Sequence, residues 1–535
     1  MAEGQMAEGH KSIRAWATHR QDDRRCAGIL LHPTSLPGAY GIGSLGRHAM
    51  EFVDFLQAGG LCVWQVLPLG PTGFGDSPYQ SFSSFAGNPL LIDLDELIRE
   101  GFLERKHLQG APEFPQSRVD YGAVFEFKRE VLKDAFTHWS ASADTATRRE
   151  FERFCERERG WLDDFSLFMA LKRSFESEGL YGAWNIWPPE LIHRDPAALD
   201  RWRNKVKQQL GLQKFQQFLF FRQWERVKRY AAQRGIRLIG DLPIYVAYDS
   251  ADVWSNQELF ALDSQGLPTA VAGVPPDYFS DTGQLWGNPL YEWKRHAATG
   301  YRWWIERIRA GLRTVDMLRL DHFRGFEAFW QVPAGEQTAE KGRWVEGPGA
   351  ELFQALGKAL DTASGELPLI AEDLGVITPP VEQLRDRFGF PGMKVLQFAF
   401  DGDATNEYLP HNYPTNCVVY TGTHDNDTTT GWYRSESEAV RDQVRRYLAR
   451  DGNDVAWDMI RAAFASTANM AVIPLQDAMK LDSEARMNVP SRPEGNWQWR
   501  FTGSMISDQI IGRLRELARL YGRCTGARAG VQDQR

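Results

Sequence analysis

Cysteine is scarce in this 535-residue chain: the five present (Cys26, Cys62, Cys155, Cys417 and Cys524) are scattered, odd in number and contain no CxxC pair. That excludes a disulfide scaffold and a cysteine-based zinc site, and it fits a reducing, cytoplasmic compartment. Long hydrophobic runs are also missing. No stretch approaches the ~18 apolar residues of a membrane span, and the polar start, MAEGQMAEGHKSIRAWATHR, lacks the apolar segment of a secretory signal. No membrane partner is expected. Nor is there an excess of positive charge: 62 Lys and Arg against 70 Asp and Glu leave a net charge of −8, which argues against a nucleic-acid partner. Walker A, HExxH and EF-hand patterns are all absent, so neither a metal nor a nucleotide has an anchor and no cofactor is expected. A single GxGxxG spelling, Gly41 to Gly46, is separated from the preceding apolar run by LPGAY, and the next run ends without an acidic ribose ligand; it reads as a flexible loop rather than a dinucleotide site. No repeat of 20–50 residues is found.

Aromatic residues, in contrast, are plentiful: 19 Trp, 31 Phe and 16 Tyr, many in polar, Gly/Pro-rich stretches that a core does not account for. From Cys26 onward, eight short apolar runs end abruptly in polar, Gly or Pro residues: 28–36, 61–70, 236–246, 315–325, 367–375, 393–401, 417–425 and 470–477. Such near-continuous runs suit parallel strands buried on both faces. Helix-like stretches separate most of them, among them HAMEFVDFLQAGG, RWWIERIRAGLR and VEQLRDRFG. Eight strands alternating with helices predict an α/β fold, a (β/α)8 TIM barrel with inserted, mostly helical subdomains. No run reads as an antiparallel strand. The predicted organisation is a tail over 1–24, a barrel over 25–88 and 231–522, a helical insertion over 89–230 containing FEFKREVLKDAFTHW and KFQQFLFFRQWERVKRY, and a tail over 523–535. Two polar, aromatic stretches, AVAGVPPDYFSDTGQLWGNPLYEW and SEARMNVPSRPEGNWQWR, read as loops that handle substrate at the barrel mouth.

Charge gathers at the strand ends. Asp241 closes the third run, Asp321 the fourth, Glu372 and Asp373 the fifth, and His424 with Asp425 the seventh. One acid in such a place is ordinarily a helix N-cap; acids closing several barrel strands point to a reaction centre. Neighbouring strands lie ~4.8 Å apart, so carboxylates ending the fourth and fifth fall near the ~5–5.5 Å of a retaining glycosidase pair rather than the ~6.5–9.5 Å of an inverting one. Arg319, two residues before Asp321, shares its face of the strand and would keep that carboxylate ionised. Glu372, crowded by other carboxylates, would be pushed toward the protonated form of a general acid. A salt bridge from Glu372 to Arg319 is the competing reading.

The strings HPTSLPGAYGIGSLG, WQVLPLGPTGFGDSPYQSFSSFAGNP, GDLPIYVAYDSADVW, GVPPDYFSDTGQLWGNPLY, RLDHFRGFEAFW, AEDLGVITP, PGMKVLQFAFD, YTGTHDNDTTTGWY and SEARMNVPSRPEGNWQWR together resemble the 4-α-glucanotransferases called amylomaltases or disproportionating enzymes, within the wider α-amylase superfamily. The likeness runs from about Cys26 to about Tyr521, in order. It implies that Asp321 is the nucleophile, Glu372 the general acid/base and Asp425 the transition-state stabiliser. Asp241, Arg319, His322 and His424 match positions lining the donor glucose subsite, and Ser77, Tyr79, Gln284, Trp286, Asn288 and Asn488 match sugar-contacting positions. Neither a structural calcium nor any cofactor is implied. Phe74 and Val489 depart from the Tyr and the aromatic common in the family and bear on remote glucan contacts. The implied partners are a maltodextrin or other α-1,4-glucan donor and a glucose or maltodextrin acceptor, handled by a monomer or weak homo-oligomer. An α-amylase-like hydrolase and a non-catalytic glucan-binding barrel are the alternatives.

Overall fold

The computed structural model describes residues 25–276, 280–360, 366–490, 492 and 494–523; the expected tail over 1–24, Cys524 and the residues after it lie outside the described residues. Twelve strands form among the described residues: β1 (Cys26–Leu30), β2 (Val63–Gln65), β3 (Arg237–Pro243), β4 (Ala270–Val274), β5 (Gln284–Pro289), β6 (Met317–Asp321), β7 (Ala328–Pro333), β8 (Arg343–Glu346), β9 (Leu369–Ala371), β10 (Gly392–Val395), β11 (Cys417–Tyr420) and β12 (Met470–Pro474). Eight of them, in the order β10-β11-β12-β1-β2-β3-β6-β9, make one sheet in which every pairing is parallel. These are the eight apolar runs. The two ends of the row meet: the Ala371 amide donates to the Pro391 carbonyl at 2.9 Å, and the Met393 amide donates to the Asp373 carboxylate at 2.7 Å. The sheet thus closes into the expected (β/α)8 barrel. Asp373, which also pairs with Arg385, belongs to this closure and is buried there.

Helices cover the outside, including Arg47–Ala58, Arg302–Thr314 and Pro379–Arg387, where the sequence placed them. Between β2 and β3 run the long helices Tyr121–Ser142, Thr145–Ser177 and Lys207–Gln233. The last is docked at two levels. Buried Gln217 exchanges hydrogen bonds with the backbone of Gly87 at 2.7 and 2.9 Å, and Gln223 does the same with Asp93 at 2.7 and 3.1 Å. Further along, the Trp224 indole donates to Thr314 at 2.8 Å and Lys228 donates to Arg313 and Val315, each at 3.0 Å. The insertion boundary expected at residue 230 therefore falls inside a helix whose final turns lie on the barrel wall. Arg523, expected to begin a tail, is instead fully buried and caps the carbonyls of Cys26, Phe464 and Ala468 at 2.7–3.0 Å.

A second sheet was not foreseen. β5, β4, β7 and β8 form a four-stranded antiparallel sheet in that order, so the stretch read as a loop over 270–293 contains two paired strands. Its alternation is inverted: Gln284 and Trp286 are half-buried and Asn288 buried, while Leu285 between them is exposed. A period-two pattern with polar residues inward does not look like a core strand.

Close strand approach sets one strict requirement. A Cβ on Gly28 would lie 2.4 Å from both the Cβ and the carbonyl oxygen of Val63, its register partner on β2. Gly28→Ala should cost at least about 1–3 kcal/mol through overpacking, read as a lower denaturant midpoint than wild type; an unchanged midpoint would show that β1 and β2 can separate.

Candidate active site

Register builds the site. β3 and β6 pair with Asp241 opposite Arg319, and residues opposite one another in parallel neighbours point to the same side of the sheet. One guanidinium nitrogen, Arg319 Nη1, consequently donates to Asp241 Oδ1 and Oδ2 at 2.9 and 2.8 Å and to Asp321 Oδ1 at 2.9 Å. Its Nε faces Met393 Sδ at 3.3 Å. The side chains of Arg319 and Asp241 are 4% and 0% exposed, that of Asp321 29%, so Asp321 is the member that reaches the mouth. From the loop after β2, the Tyr79 hydroxyl donates to Asp241 Oδ2 at 2.8 Å.

β6 and β9 pair as Leu320 with Ala371, which sets the next residues, Asp321 and Glu372, level on adjacent strands. The ladder continues past the strand ends: the Glu372 amide donates to Leu320 and the Phe323 amide to Glu372, both at 3.1 Å. His322 turns into the left-handed region, φ 56° and ψ 51°, a conformation costing a non-glycine residue ~1–3 kcal/mol. The turn aims its amide at Glu372 Oε2, 2.6 Å away, and the Leu374 amide donates to Oε1 at 2.9 Å. Among the described residues no ion pair joins Arg319 to Glu372; the guanidinium is occupied by the two aspartates.

The two carboxyls differ electrostatically. Burial lifts Glu372 to about 7, with the Asp321 charge adding to the lift and Arg319 and the two backbone amides opposing it. Burial also raises Asp321 from its ordinary value, and Asp241 and Asp425 add to the rise, although Arg319 pulls the other way. Arg319 is expected to keep Asp321 ionised; the guanidinium does pull that way, and desolvation outweighs it in sign. What Arg319 does is give Asp321 a direct cationic hydrogen bond that Glu372 lacks, which favours the charged form of Asp321. Desolvation pushes buried His32 and half-buried His322 down to about 3, and both stay neutral.

The third acid stands across the mouth after β11. Asp425 Oδ1 accepts from Asn488 Nδ2 at 2.6 Å, and His424 Nε2 lies 3.4 Å from Asp425 Oδ2. Arg486 donates to the carbonyls of Asp425 and Asn488 at 2.6 and 2.8 Å and so ties the two loops together. The His424 ring stacks on Tyr79, centroids 5.1 Å apart and planes within 14°, and Trp497 contacts both rings at 5.8 Å. Tyr79, Asp241, Arg319, Asp321, His424, Asp425 and Asn488 therefore form one connected set.

The small sheet supplies the other wall. The Trp286 ring meets His322 edge-on at 4.7 Å, Tyr245 lies 6.2 Å from it, and its indole donates to Gln284 Oε1 at 3.1 Å. Two sequence candidates sit one step back. Ser77 Oγ accepts from the Tyr79 amide at 3.2 Å, and buried Asn288 donates to the Val246 carbonyl at 2.8 Å. The Val489 amide donates to Asn496 Oδ1 at 2.8 Å. Tyr278, Phe279 and the side chain of Phe74 lie outside the described residues. Among the described residues no group of three His, Cys, Asp or Glu side chains is placed to hold a metal ion. Sequence reasoning passed over Trp497 and Arg486, although both lie inside the quoted string SEARMNVPSRPEGNWQWR.

A mouth with two level carboxylates, one cation-paired and one held near neutrality, and a third acid opposite is equipped for retaining chemistry at an acetal carbon. Comparison with known proteins decides the family. The sequence profile of the 4-alpha-glucanotransferase family matches residues 31–506. The chain belongs to the 4-alpha-glucanotransferase family. Curated relatives named 4-alpha-glucanotransferase include those of Synechocystis, 52% identical over 504 residues covering 94% of this chain and 98% of that protein, and of Thermus thermophilus, 52% identical over 504 residues covering 92% and 98%. Among solved structures, the amylomaltase of Streptococcus agalactiae in complex with acarbose superposes with a TM-score of 0.89 at 40% identity, covering 94% of this chain and 100% of that one. The protein is thus an enzyme that transfers glycosyl groups.

The proton-bearing state of Glu372 makes a pH prediction for this 4-alpha-glucanotransferase. A general acid must be protonated, so kcat/KM should fall as pH rises through about 7, and on the acid side it should fall once Asp321 gains a proton. With a donor whose leaving group needs no protonation, the alkaline limb for ester formation should vanish. An alkaline limb that persists unchanged in Glu372→Gln with that donor would assign it to another group.

Proposed function

We propose that this enzyme is a retaining 4-α-glucanotransferase that moves α-1,4-glucan segments from a maltodextrin donor to the 4-hydroxyl of a glucose or maltodextrin acceptor. The observation that carries the reading is the β6–β9 register, which sets cation-paired Asp321 level with a Glu372 held near neutrality. Asp321 attacks C1 of the donor sugar while Glu372 gives its proton to the departing glycosidic oxygen, leaving a β-glycosyl ester and a carboxylate on Glu372. That carboxylate then takes the proton of the acceptor 4-hydroxyl, whose oxygen displaces Asp321, and the configuration at C1 is restored. Asp425, oriented by Asn488, would hold donor hydroxyls and offset the positive charge that develops on the ring. Tyr79, Asp241, Arg319, His322 and His424 would form the donor subsite, and Gln284 with Trp286 its outer wall. Ser77 and Asn288 would act by holding Tyr79 and the loop after β3.

A monomer or weak homo-oligomer is the working form in this reading. The free cysteines Cys26, Cys62, Cys155 and Cys417 favour a reducing, cytoplasmic setting, and among the described residues no helix is long and apolar enough to cross a membrane. We read 25–88 with 231–522 as the catalytic barrel and 89–230 as an insertion that shares its last helix with the barrel wall.

Maltotriose separates transfer from hydrolysis: the transferase releases glucose and builds longer maltodextrins, whereas products no longer than the substrate would make the enzyme a hydrolase. Asp321→Asn is nearly isosteric and should lower transfer by about a thousandfold or more with the melting temperature preserved; retention of more than a tenth of wild-type activity in deamidation-free protein would remove Asp321 from the nucleophile's role. Trp286, packed edge-on to His322, would shield the ester from water and face the acceptor. A stacked aromatic contact is worth ~0.5–1.5 kcal/mol beyond its area, so Trp286→Ala should lower the transfer-to-hydrolysis ratio roughly two- to tenfold, measured as glucose transferred against reducing ends formed. An unchanged ratio with a lower melting temperature would make Trp286 a packing residue.

A further inference from the structure

One aromatic outside the site just described is held in an unusual way. Trp344 on β8 is 41% exposed, yet it is clamped. The Arg324 guanidinium carbon lies 3.8 Å from its ring centroid, and Trp330, its register partner on β7, meets it edge-on at 5.1 Å. Trp330 is itself fixed by an indole hydrogen bond to Ala339 at 2.8 Å. An indole left in water forgoes burial, and one that is also immobilised presents a preset apolar face at little further entropic cost.

The clamp is built on the catalytic loops. Arg324 lies three residues beyond Asp321, and its Nη1 donates to the carbonyl of Val376, four residues beyond Glu372. Arg324 is only 7% exposed and its buried Nε has no hydrogen-bond partner, so the guanidinium is committed to bridging these two loops and stacking on Trp344. Val376, 58% exposed, stands at the other end of the bridge, and exposed Glu346, two residues further along β8, shares the Trp344 face. The surface is an aromatic plate with one aliphatic neighbour and polar groups around it. Two exposed apolar side chains are too few for a protein-sized apolar patch, whereas a sugar ring offers an apolar C–H face to an indole and hydroxyls to polar neighbours.

We propose that Trp344, with Arg324 beneath it and Val376 beside it, is an auxiliary binding platform for an α-1,4-glucan chain that extends out of the catalytic cleft. The proposal rests on the glucan-transfer reading of the site. It makes Trp344 a determinant of chain-length preference: short oligosaccharides stay within the cleft, and longer chains also rest on the plate.

The test is binding without turnover, by titration calorimetry in an Asp321→Asn background with maltotriose and with a long linear maltodextrin as the two probes. Adding Trp344→Ala should weaken the long chain roughly two- to tenfold, the usual range for one stacked ring, and change maltotriose less than twofold. Trp344→Phe should restore most of the long-chain affinity. Equal weakening of both probes would make Trp344 a structural support for the cleft and overturn the proposal, as would no weakening of either. Loss of concentration-dependent self-association in Trp344→Ala with long-chain affinity intact would also overturn it, making the face a contact between copies of the chain. Failure of the Asp321→Asn background to bind maltotriose at all would instead count against the catalytic-site reading, and wild-type glucose release from maltotriose checks that reading separately.

Discussion

Arg319 Nη1 is shared between Asp241 and Asp321, and most of the active-site geometry depends on that sharing. A buried cation needs anionic partners: removing one side of such a pair costs ~3–5 kcal/mol because the remaining charge is left unpaired in a poorly polarisable interior. With Asp241 fully buried, the guanidinium cannot leave, and Asp321 is held at the mouth by the same nitrogen. Tyr79 completes the lock by donating to Asp241, and through its stack on His424 the lock extends across the barrel to Asp425 and Asn488. Two strands, β3 and β6, and the three loops after β2, β11 and β12 are thereby aligned by one buried charge.

The electrostatic difference between Asp321 and Glu372 follows from their surroundings. Both sit in the same water-poor mouth and both are raised by it. Asp321 shares a cation; Glu372 receives only neutral backbone donors, one of them delivered by the left-handed turn at His322. The same turn places the His322 ring against Trp286, so the residue whose amide orients Glu372 also braces the wall of the small sheet. Backbone strain, proton affinity and shielding from water meet at a single residue.

The barrel was legible because parallel strands covered on both sides must be apolar throughout and must stop where the chain reaches the mouth; Asp321, Glu372 and His424-Asp425 stand at such stops, whereas Asp241 lies two residues inside the end of β3 and is buried. Asp373 stands at one as well but serves barrel closure, a distinction that depends on which way its side chain leaves the strand. The small antiparallel sheet was hidden because β5 turns Gln284, Trp286 and Asn288 inward and Leu285 outward, the reverse of a core strand. Trp497 was hidden for another reason: its backbone is left-handed, φ 64°, a state that residue type does not announce in a tryptophan. That burial outweighs Arg319 at Asp321 depends on how much water the closed mouth excludes, which no spacing of residues reveals.

The central claim is that Asp321 becomes covalently bound to the donor sugar while Glu372 handles the proton. Trypsin cleaves after Arg319 and Arg324, so the peptide 320–324, LDHFR, contains Asp321 as its only side-chain carboxylate. Incubating Glu372→Gln with an α-maltosyl fluoride, whose leaving group needs no protonation, should trap the ester, and mass spectrometry of the digest should find the glycosyl mass on that peptide. An adduct on any other carboxylate-bearing peptide, or steady turnover of the fluoride without any adduct, would contradict the account.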